Sequence, residues 1–211
     1  MKDLSENSEK ITAAAQWPLG RRLGAKRAFQ PKQVWAIRFW LNREGRLRDR
    51  ALFDLAIDSK LRGWDLVKIK ISEVFSRGQS LSRAAVVQQK TGRAVQFEIL
   101  DTARASIQAW IKKRGGAGDE FLFPSRINPE GHLSTRQYAR LVDEWVRAIG
   151  LRPEEYGTHS LRRTKASIIY KQTGNLRAVQ ILLGHTNIEN TVRYLGVDVD
   201  DALTLSERTE I

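Results

Sequence analysis

Apolar residues recur every three or four positions through most of this chain and at alternate positions in one middle stretch. That pattern predicts helices flanking a small sheet. Pro31 opens the first helix, with Val34, Ile37 and Leu41 as its buried stripe and Gly45 as its stop. A second helix spans 46–62, with Leu47, Leu52, Leu55 and Ala56 facing inward, Arg62 at its end and Gly63 as terminator. Three period-2 runs follow, at 66–74, 83–90 and 93–100. They predict a three-stranded antiparallel sheet, the last two strands joined by a tight hairpin at Thr91-Gly92 with Lys90 at its tip.

Helical spacing then returns. Asp101-Thr102 is read as the cap of a helix to about Lys113, with Ile107 and Trp110 on one face and Gly115-Gly116 beyond its end. GDEFLFPS is a short extended piece stopped by Pro124. Ser134 and Gln137 form a capping box for a helix with Leu141, Val142, Trp145 and Ile149 as its stripe. Thr158 is read as the N-cap of a helix to about Lys171. A further helix ends at Gly184, leaving His185 in a turn, and a box of Thr186 and Glu189 opens a short helix with Tyr194 near its end. The last segment reads as one amphipathic helix with Ala202, Leu203 and Leu205 apolar. The expected class is α+β and mostly α.

Charge changes the picture. The chain has 36 Lys and Arg against 24 Asp and Glu, a net +12, which suits a polyanion, most commonly nucleic acid. Residues 1–50 carry twelve basic and five acidic groups, whereas 195–211 carry one and five, so body and tail are different surfaces. The expected organisation is a flexible basic arm over 1–30, a catalytic domain over 31–195 and an acidic tail over 196–211. Arg21, Arg22, Lys26 and Arg27 in the arm are candidate phosphate contacts. The absence of cysteine excludes disulfides and thiolate metal sites, and three scattered histidines argue against structural zinc. No apolar run reaches the roughly 20 residues of a membrane span, and the polar N-terminus lacks a signal-peptide core, so a cytoplasmic protein is expected. His132 reads as a surface histidine without a role.

The chemistry concentrates in Thr158–Tyr194. His159 and Arg162 share one face of a helix's first turns, where free N–H groups and the dipole favour a bound phosphate. In-line attack on a phosphodiester needs charge offset on two non-bridging oxygens and on the departing oxygen. Arg62 and Arg162 suit the first task, since guanidinium stays charged and donates in a planar fork. Lys90 suits protonation of a leaving alkoxide, His159 and His185 suit phosphate donation or proton handling, and Tyr194 suits nucleophilic attack with conservation of the bond as a phosphotyrosyl ester. None of this requires a metal or an organic cofactor. Each residue alone is ordinary; the ordered set is not.

Four stretches, SKLRGWDLVKIKI, QQKTGRAVQF, THSLRRTKAS and LLGHTNIENTVRYL, resemble successive signature boxes of the tyrosine recombinases, or phage-integrase-type site-specific recombinases. The resemblance covers about residues 31–195. It implies a catalytic domain of helices around a small antiparallel sheet, with Arg62, Lys90, His159, Arg162 and His185 activating phosphate and Tyr194 as nucleophile. It also implies strand exchange on double-stranded DNA through a 3′-phosphotyrosyl intermediate, in a homotetramer where the tail of one subunit docks on its neighbour. Two other readings share the fold: type IB topoisomerase-like relaxation, and a DNA-binding regulator or architectural protein with little cleavage. The first box departs from the family pattern, which usually has Gly or Thr-Gly before its arginine and Glu three residues after. Here Ser59-Lys60 and Asp65 stand in those places. About 30 residues precede Pro31, where the family usually has a helical core-binding domain that clamps DNA.

Overall fold

The computed structural model describes residues 26–196, together with Leu203, Ser206 and Glu207. The expectations for Arg21, Arg22, Ala202 and Leu205 lie outside the described residues.

Helices α1 (Pro31–Arg43) and α2 (Leu47–Ser59) open the fold. Two one-turn helices, α3 (Gly63–Leu66) and α4 (Ile71–Val74), lead into a tiny hairpin of β1 (Phe75–Ser76) and β2 (Gln79–Ser80). A second antiparallel pair follows, β3 (Arg83–Val87) and β4 (Ala94–Glu98). Then come α5 (Asp101–Arg114), α6 (Thr135–Ala148), a 3-10 turn at Pro153–Glu155, α7 (Thr158–Thr173), α8 (Leu176–Leu183) and α9 (Ile188–Leu195).

The mostly helical α+β class is as expected, but the sheet differs in detail. Two separate two-stranded sheets form instead of one of three strands. The run 66–74 keeps its alternation, with Val67, Ile69 and Ile71 buried. It is not a strand, however: Leu66 ends α3, Val67 and Lys68 turn, and Ile71–Val74 are α4, which leaves a short stretch around Ile69 and Lys70 to bond to the GDEFLFPS piece instead of the hairpin. Leu122 N donates to Ile69 O at 2.8 Å and Ile71 N to Glu120 O at 2.9 Å. Period-2 burial over a few residues thus does not by itself fix an extended state, because turns and one-turn helices can bury the same positions.

Helix α2 is the centre. It packs on α1, α5 and α7, and every residue from Ala51 to Ser59 is buried, including Asp54 and Asp58. The expected one-sided stripe is thus too narrow, because those carboxylates are neutralised within the fold. Asp54 takes Arg38 Nε at 2.7 Å and Arg50 Nε at 2.6 Å. The main core also holds Phe53 edge-on to Trp145, with ring centroids 5.7 Å apart. A smaller apolar cluster of Ala166, Val179 and Leu183 sits under α7–α9, with Tyr194 and Leu195 packed against it.

Local starts and stops follow capping chemistry with small shifts. Ser134 caps α6 as expected, accepting from Gln137 N at 3.1 Å. Asn187 caps α9 in place of Thr186, accepting from Glu189 N at 2.9 Å. Gly157, not Thr158, is the N-cap of α7. Lys26 and Arg27 are engaged with the 3-10 turn: Lys26 Nζ donates to Glu154 O at 2.7 Å and Arg27 Nη1 to Glu155 Oε2 at 2.8 Å. They fasten the approach to α1 through these contacts. Among the described residues, no helix is long and apolar enough to cross a membrane.

Candidate active site

Arg162 is the centre of the cluster. It lies one turn into α7 and is 2% exposed. Its Nη1 donates to Lys60 O at 2.6 Å and its Nη2 to Leu183 O at 2.7 Å. Those two carbonyls leave the other N–H groups of the fork for a ligand. Burial and the neighbouring Arg62 charge pull the guanidinium down to about 10, against the pull of Tyr194 and Asp65. It remains cationic at neutral pH.

Arg62 does not end α2. That helix stops at Ser59 with Lys60 in the left-handed region (φ 54°), and Arg62 is the N-cap of α3. Gly63 therefore begins a helix instead of terminating one. Arg62 Nη1 donates to Gln88 Oε1 at 2.6 Å. Gln88 is fully buried where the chain leaves β3, and its Nε2 donates at 3.3 Å to the same Leu183 carbonyl that Arg162 uses. The two arginines are thus linked through one side-chain amide and one backbone oxygen.

His185 follows the left-handed Gly184 (φ 64°) that closes α8. A Cβ on Gly184 would lie 2.6 Å from Val95 Cγ2, so only glycine lets the turn press against β4. The His185 Nδ1 lies 3.0 Å from Thr191 Oγ1, and Nε2 lies 3.4 Å from Arg162 Nη2. An arginine can only donate, so Nε2 presents its lone pair and the proton resides on Nδ1, donated to the buried Thr191. Burial and the charges of Arg162 and Arg62 hold the imidazole down at about 4.

Tyr194, near the end of α9, completes the group. Its ring stands edge-on to His185 with centroids 5.5 Å apart, and its hydroxyl donates to His159 O at 3.3 Å. The guanidinium carbons of Arg162 and Arg163 lie 5.9 Å and 4.8 Å from the ring centroid. Burial raises the phenol's pKa, and the two arginine charges oppose that rise.

His159 is exposed in the first turn of α7, its pKa lowered by partial burial of the ring and by Arg162, Arg163 and Arg62. Lys90 is exposed in the turn between β3 and β4. Among the described residues it makes no hydrogen bond or ion pair, so it stands apart from the cluster. The turn is wider than the two-residue hairpin expected, being closed by Gln88 N to Arg93 O at 2.8 Å. His132 packs edge-on against Phe121, with centroids 5.3 Å apart.

Asp65 Oδ1 accepts from Gln89 N at 3.0 Å, while Oδ2 is buried without a partner. Gln88, Thr191 and Arg163 were not singled out by sequence reasoning. Gln88 opens the quoted QQKTG box, and Arg163 follows Arg162 directly, but neither spacing nor polarity marks them as buried partners.

Known proteins point the same way. The model for the "Phage integrase family" matches residues 28–200. The probable integrase/recombinase YoeC of Bacillus subtilis (strain 168) is 31% identical over 153 residues, 72% of this chain and 80% of the relative. The tyrosine recombinase XerC of Chromobacterium violaceum is 34% identical over 154 residues, 72% of this chain but 48% of the relative. The chain spans about half the length of such XerC relatives. The crystal structure of XerA recombinase superposes with a TM-score of 0.72 at 17% identity, covering 89% of this chain and 67% of that one. XerH site-specific recombinase bound to difH substrate superposes at 0.67 with 19% identity, covering 89% and 55%. With its sequence matched over most of its length and its helices laid out as in those recombinases, the chain belongs to the phage integrase family of tyrosine recombinases.

Proposed function

We propose that this chain cleaves and rejoins double-stranded DNA through a 3′-phosphotyrosyl intermediate, with Tyr194 as the nucleophile. The observation that carries the proposal is the convergence of Arg162, His185 and Tyr194 on one point, with Arg62 held beside them by Gln88. The Tyr194 oxygen attacks phosphorus, a P–O bond to tyrosine forms, and the bond to the 5′ oxygen breaks. Arg62 and Arg162 offset charge on the non-bridging oxygens, which is worth most in a water-poor site. His185, neutral with its Nε2 unprotonated, exchanges its contact with Arg162 for the phenol and takes the phenolic proton. His159, exposed beside that oxygen, donates to phosphate. Lys90, exposed in its turn, swings to protonate the leaving 5′ oxygen. Attack by a 5′ hydroxyl on the phosphotyrosine reverses the steps and rejoins a strand.

The +12 charge supports DNA as partner. We infer further that the acidic tail after Leu195 docks on a neighbouring copy in a tetramer on DNA, consistent with Leu203 being 55% exposed in the single chain. The catalytic assignment is tested with a nicked suicide duplex made from DNA flanking the gene. Wild-type protein is expected to trap a covalent adduct that resists denaturation. Tyr194→Phe should bind the same DNA but trap none. A wild-type protein that binds its site and never forms the adduct would leave a regulator, not a recombinase.

A further inference from the structure

Lys60 stands where the family pattern has glycine, and the backbone there is left-handed, φ 54° and ψ 22°. A lysine in that conformation is strained relative to glycine. It is also 1% exposed, unusual for a residue type that is almost never fully buried unless paired. Its side chain folds back so that Nζ donates to Asp58 O at 2.5 Å and to Glu98 Oε1 at 2.9 Å. Lys165 Nζ joins from α7, at 2.9 Å from Asp58 Oδ1 and 2.6 Å from Glu98 Oε1. Asp58 Oδ2 accepts from Leu100 N at 2.8 Å. Two ammonium groups and two carboxylates therefore form a closed, neutral cluster that ties the end of α2 to β4 and α7.

The cluster lies directly behind the site. The carbonyl of Lys60 is the one that takes Arg162 Nη1 at 2.6 Å. We propose that Lys60 is a positioning residue for Arg162, its buried ammonium locking the peptide whose carbonyl aims the guanidinium. The first Nζ bond closes a ring over residues 58–60, and the second fixes that ring to the sheet. Both ends of the corner are then held, and the carbonyl cannot tilt away from Arg162. Glycine would accept the backbone angles freely but leave the corner without either tether. Burial lowers the Lys60 pKa against the pull of Glu98, while Lys165 and Lys60 hold the Glu98 carboxyl down at about 2 against its own burial.

The test has two arms, and only the second rests on the phosphoryl-transfer reading. In the first, full-length protein labelled with 15N-arginine is studied without DNA, and the Arg162 signals are assigned by their loss in Arg162→Lys. Separate, slowly exchanging Nη signals are expected for wild type, because both Nη groups are held by carbonyls. Lys60→Gly, which relieves the strain, and Glu98→Ala, which removes the shared carboxylate without touching the corner, should both broaden or merge them while unfolding cooperatively. In the second arm, covalent adduct formation at saturating DNA should fall about 10-fold to 100-fold in both variants, as expected for a misplaced charged group, with DNA affinity little changed. Unaltered Arg162 signals in both folded variants would overturn the proposal. A change in Lys60→Gly alone would overturn it too, since glycine's flexibility and not the lost ammonium would then be responsible. If the signals move as stated but wild type forms no adduct, the phosphoryl-transfer reading fails and the positioning role stands.

Discussion

Arg62 and Gln88 are 26 residues apart and joined by a 2.6 Å hydrogen bond, from a half-buried guanidinium to a fully buried amide. The amide also takes the Thr91 hydroxyl at 3.2 Å and reaches Leu183 O, so it fixes Arg62 relative to both the β3–β4 turn and the end of α8. Gln88→Ala should therefore lower stability by about 1–3 kcal/mol, the usual cost of stranding a buried polar partner. It should also lower adduct formation at saturating DNA more than it lowers DNA affinity. Chemical denaturation and single-turnover cleavage measure the two effects separately, and equal losses in affinity and rate would show that Gln88 supports binding only.

Gly184→Ala tests the turn that carries His185. The substitution combines a left-handed backbone with a Cβ placed 2.6 Å from Val95 Cγ2. Strain and overpacking together should cost about 2–4 kcal/mol. Gly196 also has positive φ, at 74°, but among the described residues a Cβ there would meet nothing within 4 Å, so Gly196→Ala should cost only about 1–2 kcal/mol of strain. Comparing urea midpoints of the two variants separates the clash from the backbone strain.

Asp54→Ala should be among the more damaging substitutions outside the site. Its carboxylate is fully buried and neutralises two guanidiniums, Arg38 from α1 and Arg50 from its own helix. Removing it leaves two largely buried charges facing each other, at a cost of about 3–5 kcal/mol. Thermal unfolding measures this, and a loss under about 1 kcal/mol would mean that the arginines escape to water.

Much of the fold was legible because helix stripes and cap residues are local. Val34, Ile37 and Leu41, or Ser134 with Gln137, state their roles within a few positions. What escaped depended on partners distant in sequence. Asp54 and Asp58 look like a solvent face until Arg38 and Lys165 arrive from other helices. The run 66–74 reads as a strand but folds as a turn between two one-turn helices, with residues 120–122 bonding its short middle. The candidate residues stood out in the sequence only as an ordered set, and the structure brings Arg62, Arg162, His185 and Tyr194 into one cluster with the His159 backbone against Tyr194. Lys90 was left on an exposed turn. Gln88 and Thr191 were invisible because a buried glutamine or threonine carries no sequence signature of burial, and Lys60 stood out only as a departure from the usual first box, with nothing to mark it as buried.

His185 gives the pH prediction. Its pKa is near 4 in the folded protein and about 6.5 unfolded, because burial and the charges of Arg162 and Arg62 disfavour the imidazolium. The unfolded chain therefore binds more protons between those values, so this contribution is intact above about 6.5 and is lost as pH falls toward 4. His159 shifts in the same direction and adds to the slope. Replacing His185 with Asn should flatten the acid side of the stability profile. A phosphate bound among Arg162, Arg62 and Tyr194 reverses the electrostatics, since its negative charge favours the protonated ring. Titration of the His185 ring by NMR should show an upward shift on binding DNA, whereas a value unmoved by DNA would place the phosphate away from His185. If Nε2 takes the Tyr194 proton, the adduct rate should decline on the acid side through the DNA-bound pKa and not through the free one.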